Sequence, residues 1–316
     1  METIEYDLNK ILSCLFQLCE LSTNQSEKVK KGEIENKIHT KAKDEKFTDL
    51  DYLIQKLIEN TITKYFPKIK IIGEEDTSLN IEINDNNTFL NQISTIDINK
   101  NYFNLNEYNY KISTNEKITL FIDPIDGTNQ LIKQNYEPLT ILIGICINEK
   151  PISGIIHYLN NIENIHNSET YFNYPNKGIL KYYKEKIEKI EIKKNPNFKF
   201  LISSTRAKEE MINFIKTFEN SDFEKMNGCG NKVINSLIND YCYFTFSSSV
   251  ALWDICAGDC LAHSIGGGFF NFKGEEIKYI DNNKEYIKDY LFVVGSSEKK
   301  KLFIENVKKV NYHQNE

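Results

Sequence analysis

Apolar residues at Ile4, Leu8, Ile11, Leu12, Leu15 and Cys19 recur at helical spacing, which predicts an amphipathic helix over residues 4–22. Polar, Lys-rich text over 23–47 predicts a loop. A second apolar stripe (Leu50, Leu53, Ile54, Leu57, Ile58, Ile62) follows Thr48, whose side chain can cap a helix with Asp51 three residues on. Pro67 lies beyond that helix, and Ile69-Lys70-Ile71-Ile72 reads as a short strand running into Gly73-Glu74-Glu75-Asp76. Strand patterns return at 118–122, 139–147 and 152–156, the last two flanking Asn148-Glu149-Lys150-Pro151 as a hairpin. Farther on the order alternates: strand 199–203, helices 206–219 and 231–239, strand 241–247, helix 254–264, strand 291–294, helix 297–309.

This pattern implies an α+β first half and an α/β second half. We expect an N-terminal unit over 1–170 and a C-terminal unit over 171–316, with the boundary near 165–180. Residues 77–117 break the periodicity. Eleven of these 41 residues are asparagine, and the segment reads as a surface insertion, partly ordered at best and inert.

Composition narrows the classes. The chain has 316 residues, enough for roughly two domains. With 40% hydrophobic and 27% charged residues it is ordinary globular material, neither collagenous nor disordered. No apolar run is long enough to span a bilayer, and Met1–Glu5 has no export-signal character, so the expected location is cytoplasmic without a membrane partner. A net charge of -6 argues against a nucleic-acid polymer as partner. The seven cysteines form no C-x-x-C pair and read as buried thiols. Five scattered histidines offer no metal site, so a metal here would be held by carboxylates, which suits a hard ion such as magnesium.

Three acidic clusters sit at strand ends or helix starts: Glu74-Glu75-Asp76, Asp123-Pro124-Ile125-Asp126-Gly127-Thr128, and Trp253-Asp254. Each alone fits a solvated turn or a helix cap. In the second, Pro124 stiffens a turn and Gly127 permits a tight path, so Asp123 and Asp126 can converge. Two close carboxylates call for a divalent cation, and the amides after Gly127 suit a phosphate. Metal beside phosphate points to metal-assisted phosphoryl hydrolysis.

Taken in order, Thr48-x-x-Asp51, Ile71–Asp76, Asp123–Thr128, Gly228-Cys229-Gly230-Asn231-Lys232, Trp253–Ala257 and Gly266–Gly268 resemble the inositol monophosphatase superfamily of magnesium-dependent, lithium-sensitive phosphatases. Phe66–Asp76 and the G-x-G-N-K segment look like its 3′(2′),5′-bisphosphate nucleotidase branch, which removes the 3′-phosphate of adenosine 3′,5′-bisphosphate. Gln130, Ile132, Lys208 and the triple glycine look like inositol polyphosphate 1-phosphatase. A dual-specificity enzyme fits both.

The resemblance implies a layered α-β-α-β-α sandwich and two or three magnesium ions. Glu74, Asp123 and the Ile125 carbonyl would hold the first ion, and Asp123, Asp126 and Asp254 the second, with Glu75 behind them. Asp51 and Thr128 would activate a water, with Glu74 beside them in the catalytic set. Gly127 and Thr128 would hold the scissile phosphate, and Thr205, Lys208 and Lys232 the other one, with Asp254 on the leaving-group side. The implied partner is a small bisphosphate, and monomer and homodimer both remain open.

Overall fold

The computed structural model describes residues 3–41, 45–78, 83, 86–104, 106–159, 168–184, 186–245, 250–280, 287 and 291–309. Strand β1 (Ile4–Asp7) leads into helix α1 (Leu8–Lys30). A hairpin of β2 (Ile38–Thr40) and β3 (Lys46–Thr48) precedes α2 (Asp49–Tyr65) and β4 (Ile69–Gly73). Then come α3 (Asn86–Leu90), β5 (Lys111–Thr114), β6 (Ile118–Asp126), α4 (Thr128–Ile132), β7 (Thr140–Ile147) and β8 (Lys150–Tyr158). Strands β9 (Thr170–Tyr174), β10 (Gly178–Tyr183) and β11 (Lys186–Lys189) complete a seven-stranded sheet of order β11-β10-β9-β8-β7-β6-β4. Its pairs are antiparallel except β4 with β6.

The second sheet takes β12 (Lys199–Ser203), β13 (Asp222–Met226), β14 (Cys242–Thr245), β15 (Gly268–Asn271) and β16 (Leu291–Val294) in the order β13-β12-β14-β16-β15. Between its strands run α5 (Glu209–Ile215), α6 (Cys229–Asn239) and α7 (Leu252–His263), and α8 (Ser297–Lys309) follows them.

Strand periodicity builds the layers. Along β6, Ile118, Leu120 and Ile122 join α1 and α2 in one core, while Phe121 points to the other face and joins α6 and α7. That middle helical layer also packs against Tyr243, Phe269, Leu291 and Val293 of the second sheet. The far face of the second sheet (Phe200, Ile202, Phe244, Phe292) packs on Met211 and Phe214 of α5 and Phe303 of α8. The order is thus α-β-α-β-α, as expected. Close approach of α7 to β7 requires Gly144: a Cβ there would stand 2.3 Å from the Cys256 sulfur. No helix among the described residues is long and apolar enough to cross a membrane.

Four expectations need correction. The first helix starts at Leu8, because residues 4–7 pair with β5 and the Asp7 side chain caps the helix by accepting from the Asn9 amide at 3.0 Å. It runs on to Lys30 through text read as loop, with Ser22, Thr23, Gln25 and Ser26 buried; the Ser22 hydroxyl returns to the Leu18 carbonyl at 2.7 Å. The helix read over 206–219 is shorter and begins at Glu209. The first sheet continues to Lys189, so the passage between sheets falls between Lys189 and Lys199 and not at 170.

The Asn-rich segment is not a surface appendage. Phe89, Ile96, Phe103, Tyr108 and Ile112 are buried in the α1–α2 core, and Phe103 lies 5.7 Å from Phe16 of α1. Gln17 of α1 bonds Asp97 twice, donating to its carbonyl at 2.9 Å and accepting from its amide at 3.0 Å. Residues 79–82, 84, 85 and 105 of that segment, and 246–247 of the expected strand 241–247, lie outside the described residues.

Candidate active site

Asp51 stands in the first turn of α2, fully buried. Its Oδ2 accepts from the Thr48 amide at 2.8 Å and the Thr48 hydroxyl at 2.5 Å. Its Oδ1 accepts from the Thr128 hydroxyl at 2.8 Å. The helix cap thus occupies one carboxylate oxygen and Thr128 the other. Burial pushes the Asp51 carboxyl up to about 6, against the bonds from Thr48 and Thr128 and with the help of Glu74. Thr128 follows Gly127, whose φ of 102° is a left-handed turn suited to glycine, and it opens α4.

Glu74 and Glu75 leave β4, where the Glu74 amide donates to the Ile122 carbonyl of β6 at 3.1 Å. Gln55, buried on α2, clamps Glu75: its Oε1 accepts the Glu75 amide at 2.8 Å and its Nε2 donates to the Glu75 carbonyl at 2.7 Å. No local pattern marks this clamp, since Gln55 reads as one more polar residue on an amphipathic helix. Lys41, beside the β2–β3 hairpin, places its ammonium 3.0 Å from Glu74 Oε1 and 2.7 Å from Glu75 Oε1. Burial, then Glu74, pushes the Glu75 carboxyl up to about 8, with Lys41 opposing. In sequence Lys41 is one of many lysines in the polar stretch 23–47, and nothing local distinguishes it.

Strand β6 does not stop at Ile122 but runs through Asp126. Asp123 pairs with Leu142 and Asp126 with Thr140, so one extra residue is accommodated between them as a bulge. Residues three apart on a regular strand face opposite ways; the bulge shifts that parity, and Asp123 and Asp126 both line one cavity. Asp126 Oδ2 accepts from the Gly230 amide at the start of α6 (2.8 Å) and from the Thr140 hydroxyl (3.2 Å). Asp254, in the first turn of α7, accepts from the Ala251 amide at 2.5 Å. Burial raises all three: Asp123 well above the usual carboxylate range with Glu74, Asp126 and Asp254 adding, Asp126 against the pull of Lys232, and Asp254 to about 8 with Glu74 adding.

These groups surround a cavity of about 370 Å³. Glu74, Asp123, Ile125, Asp126, Gly127, Thr128, Thr205, Lys232 and Asp254 all line it, and Asp51 and Glu75 stand buried behind. Lys208 does not: it is exposed, outside the lining, at the N-cap of α5. The turn after β12 presents Arg206 to the cavity instead. One signal in the sequence marks Arg206: it is the only arginine of the chain. Lys232 is buried, which lowers its pKa; its ammonium donates to the Gly228 carbonyl at 2.6 Å and lies 5.2 Å from the centre of the Tyr243 ring.

A hard divalent cation fits this donor set. The donors are carboxylates and one carbonyl, and Asp123 Oδ1 is a buried oxygen without a hydrogen-bond partner. Among the described residues no three Asp, Glu, His or Cys side chains are arranged so as to hold a metal ion together. Lys41 engages Glu74, and backbone amides engage Asp126 and Asp254.

Residues 7–312 match the inositol monophosphatase family. The chain is 25% identical over 248 residues to 3′(2′),5′-bisphosphate nucleotidase 1 of Rattus norvegicus, covering 73% of each. It is 26% identical over 300 residues to inositol monophosphatase 3 of Xenopus laevis, covering 86% of this chain and 75% of that one. Among solved structures, a staphylococcal IMPase I complexed with products superposes with a TM-score of 0.61 at 15% identity, over 93% of this chain and 94% of that one.

Proposed function

Because the chain belongs to the inositol monophosphatase family, we propose that it is a metal-dependent phosphomonoesterase of small bisphosphates, removing the 3′-phosphate of adenosine 3′,5′-bisphosphate to give AMP and phosphate. The observation that carries this reading is the hydrogen bond from Thr128 to the buried Asp51, beside a cavity walled by Glu74, Asp123, Asp126 and Asp254. Similarity to bisphosphate nucleotidases supports the substrate class.

Glu74, Asp123, the Ile125 carbonyl, Asp126 and Asp254 would hold magnesium, which when bound would supply Lewis-acid stabilisation of the charge on the transferring phosphoryl group. The chain's own residues do the rest. Thr128 gives its one proton to Asp51, which leaves its oxygen lone pairs to accept the proton of a water in the cavity. As that water attacks phosphorus, its proton passes to Thr128 and the Thr128 proton to Asp51 Oδ1; the P–O bond to the 3′-oxygen breaks with its electron pair, and that oxygen leaves as the 3′-hydroxyl of AMP after taking a proton from solvent. Thr48 holds Asp51 Oδ2 and so fixes which oxygen receives it. A carboxyl poised near 6 is a competent base at neutral pH. Backbone amides at Gly127 and Thr128 cradle the scissile phosphate, while Thr205 and Lys232 stand with the second phosphate. Lithium should inhibit by taking the second magnesium position.

Parallel turnover tests the substrate. The purified protein with magnesium is given adenosine 3′,5′-bisphosphate, inositol 1,4-bisphosphate and inositol 1-phosphate. We expect the nucleotide to be hydrolysed with the highest kcat/KM. Preference for inositol 1,4-bisphosphate would make the chain an inositol polyphosphate 1-phosphatase, and binding without phosphate release would make it a sensor.

A further inference from the structure

Of the 39 lysine and arginine residues, Arg206 alone is arginine. It stands on the cavity wall, in the turn that leaves the C-terminal end of β12. That turn is braced. The Ser203 hydroxyl oxygen accepts from the Arg206 amide at 3.1 Å and from the Thr205 amide at 3.3 Å, and the Ser204 hydroxyl donates to the Asn227 side chain just before α6. Strand β12 lies parallel to β13 and β14, and the carboxyl ends of parallel strands are where open sheets seat ligands.

The chemistry of the two basic side chains differs. An ammonium meets an anion as a point charge, whereas guanidinium is a planar fork that stays charged and grips phosphate with two parallel N–H bonds. A chain that uses lysine for every other such cation has its one fork at this cavity.

We propose that Arg206 is the specificity-determining residue of the site, its guanidinium binding a second phosphate monoester on the leaving group and so selecting bisphosphates over monophosphates. This rests on the phosphatase reading above and replaces Lys208 in that role. The scissile phosphate stays with Gly127 and Thr128, so Arg206 adds nothing to a substrate that carries only one phosphate.

Arg206→Ala and Arg206→Lys are compared with the wild-type holoenzyme on adenosine 3′,5′-bisphosphate and on adenosine 3′-monophosphate. Arg206→Ala should raise KM for the bisphosphate by about 10- to 100-fold, the range for hydrogen bonds to charged groups, and leave the monophosphate unchanged. Arg206→Lys should recover only part of that loss. Equal weakening of both substrates, no weakening of either, or full recovery by lysine would each overturn the proposal. If the wild type hydrolyses neither compound, the phosphatase reading fails, and calorimetric binding of the same two nucleotides decides this one. Selective loss of the bisphosphate in Arg206→Ala upholds it, and equal binding to both proteins overturns it.

Discussion

At the scale of the residue, the account turns on the two oxygens of Asp51. Oδ2 belongs to the helix start and Oδ1 to Thr128. Asp51→Asn keeps an acceptor for Thr48 but cannot take a proton, so turnover should fall by about 10²–10⁴-fold, the usual span for a lost general base. Melting temperature should hardly move. A purely capping Asp51 would show the reverse, near-normal turnover with stability lowered by about 1 kcal/mol. Lys41 supplies a second residue-scale test, because its ammonium engages Glu74, which would hold the metal, and Glu75 behind it. Lys41→Ala should tighten magnesium binding on the order of tenfold, or about 1.4 kcal/mol, in a calorimetric titration. Lys46, which also lines the cavity, gives the charge control: Lys46→Ala should shift the affinity less.

At the scale of the element, the motif-bearing pieces were legible in the sequence and the pieces that hold them were not. Asp51, Glu74, Asp123, Asp126 and Asp254 announce themselves because acidic text at the end of an apolar run is conspicuous. The bulge that turns Asp123 and Asp126 to one side lies in strand pairing, which no local pattern reports. Gln55 acts through space, and its distance in sequence from Glu75 hides the clamp. The Asn-rich segment misled for a related reason. Its apolar residues obey no single period because the segment passes through α3, irregular chain and β5 while packing on the core of α1 and α2. That packing carries stability: Phe103→Ala, at a site 2% exposed, should lower unfolding free energy by about 3–5 kcal/mol in a denaturant titration. A loss below about 1 kcal/mol would mean the segment is dispensable.

At the scale of the whole molecule, two sheets enclose a helical layer whose first turns, α6 and α7, bring Gly230 and Asp254 to the carboxylates that end β4 and β6. Gathering so many acids has a measurable consequence. Asp51 is raised from 3.8 to about 6, Asp254 from 3.8 to about 8 and Glu75 from 4.5 to about 8. Between its unfolded and folded values each group binds more protons in the folded chain, so its contribution is full below the unfolded value and is lost as pH rises through the folded one. Chelated protein should therefore melt at steadily lower temperature from about pH 4 to about pH 8, and magnesium should restore the loss at the upper end. A chelated melting temperature that is flat or rises over that span would contradict the electrostatics described. The central claim, hydrolysis by this cavity with a hard cation in it, is met most directly by one measurement: phosphate release from adenosine 3′,5′-bisphosphate by the purified chain, with magnesium and after complete chelation. The account predicts turnover that chelation abolishes and added magnesium restores; release that survives chelation, or none under either condition, would contradict it.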